Sequence, residues 1–354
     1  MDEIPLEILP KHGPAVLVIR DGWGRNPHPE QADFNAVLQA KTPIADAIEA
    51  AWPSMLVRTS GEDVGLPIGE DGPVMGNSEV GHQNIGAGRI VDQELMRITN
   101  SLRSGDFFER AALLDAFGHA ESTGGNVHLL GLVSDGLVHS DLNHLIALLE
   151  AAGRRGFPSD RVLIHAITDG RDTPPTGGLG YLEELQRGIE AHGIGRVVSV
   201  MGRFWAMDRD HRWDRVEPAY RCLTGPTVRR YDDVATALAA YYANPSEPSL
   251  HGDEFVDPAG IGPNDAAIAA TRISDGDSVI FFNFRGDRPR EITKAFTLDD
   301  EAWSAVERGG FDRGRRLENL RFTGMTRYES GLPMEVIFEK PPRMKDILGA
   351  TIAD

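Results

Sequence analysis

Short apolar, β-branched runs that break off into polar, glycine-bearing turns recur along this chain. Residues 15–19 lead into Arg20-Asp21-Gly22-Trp23-Gly24, 127–133 into Ser134-Asp135-Gly136, and 162–167 into Asp169-Gly170-Arg171-Asp172. Residues 197–201 lead into Gly202-Arg203, and 279–284 into Arg285-Gly286-Asp287-Arg288. Each run has strand length and is bounded by turn residues, which predicts buried strands. Between them, apolar residues return every three or four positions over 142–152 and 179–192, predicting helices with one buried face. Strands alternating with helices predict an α/β chain with a mostly parallel sheet covered on both faces, because a parallel connection needs a crossover. Ligands of such sheets bind outside the carboxyl ends of the strands, where all five polar clusters fall. A strand that simply runs out into a polar loop would look the same at any one place. Five clusters, each with Arg or Asp, favour a shared site.

Length and charge narrow the partners. A chain of 354 residues predicts about two domains, and 41% hydrophobic with 25% charged residues is a globular balance. No stretch approaches the roughly eighteen apolar residues of a membrane helix. The start, Met-Asp-Glu-Ile-Pro, has neither the basic nor the apolar part of a secretory signal, so export is not expected. Cys222 is the single cysteine, which suits a reducing compartment and a cytoplasmic location. A net charge of −18 repels nucleic acid and anionic membranes and leaves small molecules as expected partners, with a monomer expected. An anionic substrate is repelled as well, so its site must carry its own positive charge. The Gly/Arg-rich stretch 309–316, interrupted by Asp312, reads as a solvated loop.

Arg171, Arg203, Arg209, Arg285 and Arg288 supply that charge at or just beyond strand ends. Arginine's planar fork meets carboxylate and phosphate oxygens in pairs and stays charged. Arg209 lies in Met207-Asp208-Arg209-Asp210-His211-Arg212, which also reads as an ion-paired helix start. Thr173-Pro174-Pro175 holds the chain extended after Asp169, Arg171 and Asp172, so Asp172 can accept hydrogen bonds from a substrate hydroxyl; a self-closed aspartate turn fits too. His139, just past a strand end, can donate a hydrogen bond or shuttle a proton near neutral pH, although a lone histidine is more often structural. In Gly76-Asn77-Ser78-Glu79-Val80-Gly81-His82, Ser78 sits where a helix begins, placed to carry a phosphoryl group at the positive end of the helix dipole or to act as an ordinary N-cap. The spacing is not Gly-x-Ser-x-Gly, so a His-Asp pair is not the expected activator. A metal that acidifies the hydroxyl is the alternative, with Asp21 a candidate hard oxygen ligand.

In content and order, these segments resemble cofactor-independent phosphoglycerate mutase over nearly the whole chain. The resemblance implies an alkaline-phosphatase-like domain, incomplete here, at 1–92 and 335–354, with a second, substrate-binding α/β domain inserted at 93–334. It implies that Ser78 carries the phosphoryl group in the interconversion of 3-phosphoglycerate and 2-phosphoglycerate, and that Asp21 and Ser78 bind one of two manganese ions. It also implies that His139, Arg171, Asp172, Arg203, Arg209, Arg285 and Arg288 grip the substrate. Family members continue past the point where this sequence ends, with an Asp and His cluster that completes the metal sites. This chain is therefore expected to bind metal weakly and to show little activity alone, its end falling inside a helix over 344–354. A phosphoglycerate-binding fragment without catalysis, or a metal-dependent phosphatase or phosphomutase of the same superfamily, are the other readings.

Overall fold

The structure is a computed structural model and describes residues 14, 16–20, 22–69, 72–225 and 229–353. Its centre is one eight-stranded sheet. The strands are β1 (Val127–Leu132), β2 (Val162–Thr168), β3 (Arg196–Gly202), β4 (Arg230–Tyr231), β5 (Ala259–Ile261), β6 (Ser278–Phe281), β7 (Arg321–Thr326) and β8 (Glu335–Phe338). They lie in the order β8-β7-β6-β1-β2-β3-β5-β4. Neighbours are parallel except β3 and β5. Four of the five predicted strands are here, each within a few residues of its expected limits.

Alternation along β1 explains the two layers of helix. Val127 and Leu129 point into one core, shared with α2 (Leu142–Arg154) and α3 (Gly178–His192). Leu130 and Leu132 point into the other, shared with α4 (Arg203–Ala206), α5 (Trp213–Thr224) and α6 (Arg290–Thr297). Every residue of β1 and β2 is buried, as a central strand covered on both faces must be. Helix α2 starts where the Asp141 carboxylate accepts the Asn143 N–H at 2.8 Å, and α3 stops at Gly193, whose φ of 64° an L side chain resists.

The structure corrects some of these expectations. Residues 16–20 form no strand, and Val16, Leu17 and Val18 are 79%, 66% and 73% exposed. A β-branched run becomes a buried strand only beside a partner, and the sheet is assembled wholly from residues between 127 and 338. Strand β8 starts at the expected boundary of 334/335 and pairs in parallel with β7, so 335–338 lie in the large sheet. The helix read over 344–354 is confined to Leu348–Ala353. Within 309–316, Arg313 is buried, donating to the Ala295 carbonyl at 3.0 Å and Asp300 at 2.7 Å, so that stretch is not solvated throughout.

Ahead of the sheet, a ribbon of Ile68–Gly69 and Gly72–Pro73 precedes the helix α1 (Ser78–Ala87), held by a small core of Val64, Leu66 and Val80. Arg89 reaches the Lys345 carbonyl at 2.9 Å, which brings this part against the last residues described. Among the described residues no helix is long and apolar enough to cross a membrane.

Candidate functional site

Arg203 organises the carboxyl edge of the sheet. It opens α4 directly after β3 and is 1% exposed, with Nη1 2.6 Å from Asp169 Oδ1 and 2.5 Å from Asp172 Oδ2. A guanidinium so buried is tolerable only when paired and hydrogen-bonded. Asp169, at the end of β2, also accepts the N–H groups of Arg171 (3.1 Å) and Asp172 (3.0 Å) on Oδ1 and the Ser134 hydroxyl (2.7 Å) on Oδ2. Burial alone would raise the Asp169 carboxyl. The Arg203 charge and these hydrogen bonds outweigh it and hold the group below the ordinary range. The self-closed aspartate turn and the arginine pair are thus one structure. Gly170 belongs to it for a steric reason: at φ +68° a Cβ would lie 2.7 Å from the Glu254 nitrogen.

The loop after β6 supplies the other half. Asp287 Oδ1 is 3.2 Å from Arg285 Nε, and its Oδ2 accepts from Arg209 Nη1 at 3.0 Å. His139 bridges the halves, with Nε2 3.7 Å from Asp172 Oδ2 and Nδ1 3.7 Å from Asp287 Oδ1. Burial, then the charge of Arg203, pushes the imidazole down to about 4, against the opposing pull of the two aspartates. His139 is therefore neutral at neutral pH in this state. That corrects its expected proton shuttling near neutrality, which took no account of burial.

Arg288 donates Nη1 to the Met207 carbonyl at 3.0 Å and forms no ion pair among the described residues. Its pKa is lowered by burial first, then by Arg203 and Arg209, with Arg171 adding to the effect. Arg171 itself is 3.1 Å from Glu254. The structure thus brings together His139, Arg171, Asp172, Arg203, Arg209, Arg285 and Arg288. Asp169, Asp287 and Glu254, the carboxylates that space these arginines, were not singled out from the sequence as site residues. Asp169 and Asp287 each stand within two positions of an arginine in a strand-end turn, which is the available signal; Glu254 has no local signal.

Ser78 stands apart. Asn77, not Ser78, caps the helix, its side chain accepting from the Val80 N–H at 3.1 Å, so the Ser78 hydroxyl is free of capping. His82 Nδ1 lies 2.7 Å from the Ser78 carbonyl oxygen and 3.3 Å from Oγ. A carbonyl only accepts, so Nδ1 carries the hydrogen and cannot take the Ser78 proton. Among the described residues no hydrogen bond or ion pair links Ser78 to the arginine cluster. The ribbon before it passes near Leu137, two residues ahead of His139: a Cβ on Gly69 would lie 3.3 Å from Leu137 Cδ1. Asp21 lies outside the described residues. Among the described residues no group of three or more His, Cys, Asp or Glu is placed to hold a metal.

The family model described as "BPG-independent PGAM N-terminus" matches residues 98–330. The chain is 54% identical over 340 residues to the 2,3-bisphosphoglycerate-independent phosphoglycerate mutase of Rhodopirellula baltica, covering 96% of this chain and 62% of that protein. It is 45% identical over 328 residues to the protein of the same name from Salinibacter ruber, covering 92% and 59%. Among solved structures, a Leishmania mexicana phosphoglycerate mutase crystallised at low cobalt concentration superposes with a TM-score of 0.70 and 31% identity, covering 88% of this chain and 55% of that one. The chain spans about three-fifths of the length of the curated relatives it matches.

Proposed function

Because this chain belongs to the family of 2,3-bisphosphoglycerate-independent phosphoglycerate mutases, we propose that the whole protein interconverts 3-phosphoglycerate and 2-phosphoglycerate, with the arginine cluster gripping the substrate and Ser78 carrying the phosphoryl group. The observation that carries the reading is Arg288, a guanidinium crowded by other arginines and, among the described residues, without an ion pair, in a chain of net charge −18. Such a deficit of negative charge is what an incoming carboxylate or phosphate relieves. Arg209, Arg285 and Arg288 line one side. Arg171, Asp172 and Arg203 line the other, and neutral His139 between them offers one N–H to a glycerate oxygen.

The chemistry balances in two half-steps. An Oγ–P bond forms at Ser78 as the P–O bond to the C3 oxygen breaks; Oγ gives up its proton and the C3 oxygen gains one. The C2 oxygen of the same glycerate then attacks phosphorus, the Oγ–P bond breaks, and Ser78 recovers its hydroxyl. Asp172 and His139 would hold the glycerate hydroxyls during the turn, and the arginines would hold the carboxylate, so that the same molecule is rephosphorylated. Two manganese ions remain part of the proposal for the whole protein. Ser78 and Asp21 would contribute to holding one of them, Asp21 lies outside the described residues, and no step is routed through the ions.

Binding without catalysis by this chain is a second reading, favoured by the separation of Ser78 from the arginines. Phosphorus NMR of the chain with 3-phosphoglycerate, with and without manganese, separates the readings: 2-phosphoglycerate marks the mutase, free phosphate a phosphatase, and a bound but unchanged ligand the second. Calorimetry is expected to detect metal-independent 3-phosphoglycerate binding, weakened about 10- to 100-fold by Arg288→Ala, the effect of losing a charged hydrogen bond. Equal binding by the variant would sink the assignment. A monomer in the cytoplasm completes the proposal. Its lone thiol, Cys222, is pushed up to about 11 by burial and is unreactive there.

A further inference from the structure

Beside the arginine cluster lies an ionisable group that the proposed reaction leaves unused. Glu291, in the first turn of α6 and three residues after Arg288, is 1% exposed. Its Oε1 accepts the backbone N–H of His211 at 2.8 Å, and His211 is held at φ 55°, where an L residue is strained. That residue closes the loop 207–212, which carries Arg209 and the Met207 carbonyl that fixes Arg288. Oε2 is buried and has no conventional donor among the described residues. The carboxyl of Asp208, also buried, faces the same turn and acts on Glu291 as a neighbouring negative charge. Asp208 already accepts the N–H groups of Asp210 (2.8 Å) and Arg212 (3.0 Å) on Oδ1, with Arg215 Nη1 3.4 Å from Oδ2. Two carboxylates can only accept, so a hydrogen bond between them requires that one of them keep its proton.

We propose that Glu291 is a positioning residue which shares its proton with Asp208, and that this buried O–H···O bond latches the loop 207–212 so that Arg209 and Arg288 face the anion. The inference rests on the phosphoglycerate reading of that site. Burial first, and Asp208 second, push the Glu291 carboxyl up to about 7 against the His211 N–H. The other charged groups around it leave Oε2 unpaired. Lys294 is engaged with Glu329 at 2.9 Å, and His211 Nδ1 stands 3.9 Å from Oε1 while its Nε2 is 3.3 Å from Glu307. The Arg212 side chain holds Asp214, and Arg308 donates to the Asp210 carbonyl. The folded-state value lies above the ordinary one, so the latch is closed at low pH and released as pH rises through about 7.

The test compares the chain with Glu291→Gln, whose amide keeps the Oε1 acceptor and donates to Asp208 at every pH, and with Asp208→Asn as a second latch that needs no proton. Protection of the His211 amide, read by hydrogen exchange and corrected for intrinsic rate, is expected to fall about tenfold between pH 6 and pH 8 in the parent chain and to stay level in both variants. Affinity for 3-phosphoglycerate, read by calorimetry, should fall over the same range relative to the variants. The comparison with the variants matters because the ligand's own phosphate titrates near pH 6. The same exchange profile in all three proteins overturns the shared proton. Binding that tracks pH equally in all three overturns the coupling to the site. Exchange as expected with no ligand bound at any pH supports the latch and overturns the phosphoglycerate reading instead.

Discussion

Arg203 and its two aspartates decide what single substitutions cost at the site. Asp169→Ala removes one carboxylate from a guanidinium that is 1% exposed and also frees Ser134 and two backbone N–H groups. Breaking a buried pair from one side costs about 3–5 kcal/mol, and urea unfolding should show a loss in that range. A loss below about 1 kcal/mol would mean that Asp172 alone suffices. His139 gives a prediction of opposite character. Its folded value of about 4 lies below the ordinary 6.5, so the unfolded chain takes up the proton first as pH falls. Stability is therefore full above about 6.5 and is lost as pH drops toward 4, by up to roughly 3 kcal/mol. Unfolding midpoints at pH 7 and near pH 4.5 measure the slope, and His139→Gln should flatten it. The arginines of this site were legible in the sequence because charge at strand ends is a local signal. The depression of His139 was not, because it is created by Arg203 and by burial, both distant in sequence.

Strands reveal the same division at the next scale. The runs at 127–133, 162–167, 197–201 and 279–284 were legible because β-branched residues between turns state a preference for extended backbone. The run at 15–19 states the same preference and forms no strand among its described residues, since preference does not name a partner. What ties the strands together is also non-local. Asp277 Oδ2 accepts from His128 Nε2 (3.1 Å), His128 Nδ1 from His165 Nε2 (2.9 Å), and His165 Nδ1 from the Ser199 hydroxyl (2.7 Å). One assignment of hydrogens satisfies this buried row with both rings neutral. Burial and the neighbouring His128 and Arg272 push His165 well below its usual value, in agreement. Nitrogen NMR is expected to find both rings as the Nε2–H tautomer at neutral pH, with His165 unchanged at pH 5; an Nδ1–H form at either ring contradicts the row. At the far end of β3, Gly202 packs so closely on the following loop that a Cβ would lie 2.2 Å from the Glu254 carbonyl oxygen. Gly202→Ala should cost about 1–3 kcal/mol by overpacking and weaken anion binding, because the displaced neighbours are Arg203 and Glu254.

For the molecule as a whole, net charge and surface make separate demands. The charge of −18 required a local positive site for an anionic ligand, and that inference from composition found its arginines in one place. Composition said nothing of where apolar side chains would be left in water. Val16, Leu17, Val18, Met55, Leu56 and Val57 are all more than half exposed, whereas the sheet between 127 and 338 has both faces covered. Apolar surface in water costs about 25 cal/mol per Å², and at high concentration that cost is lowered by self-association. The chain is therefore expected to associate in a concentration-dependent way, driven by its first sixty residues and not by the sheet. Val16→Lys combined with Leu56→Lys should reduce that association in sedimentation measurements. Neither residue touches the arginine cluster, so affinity for 3-phosphoglycerate should be unchanged in the same variant. If association persists undiminished, the sticky surface lies elsewhere; if affinity falls with it, the early residues and the arginine site are coupled more tightly than the approach at Leu137 provides.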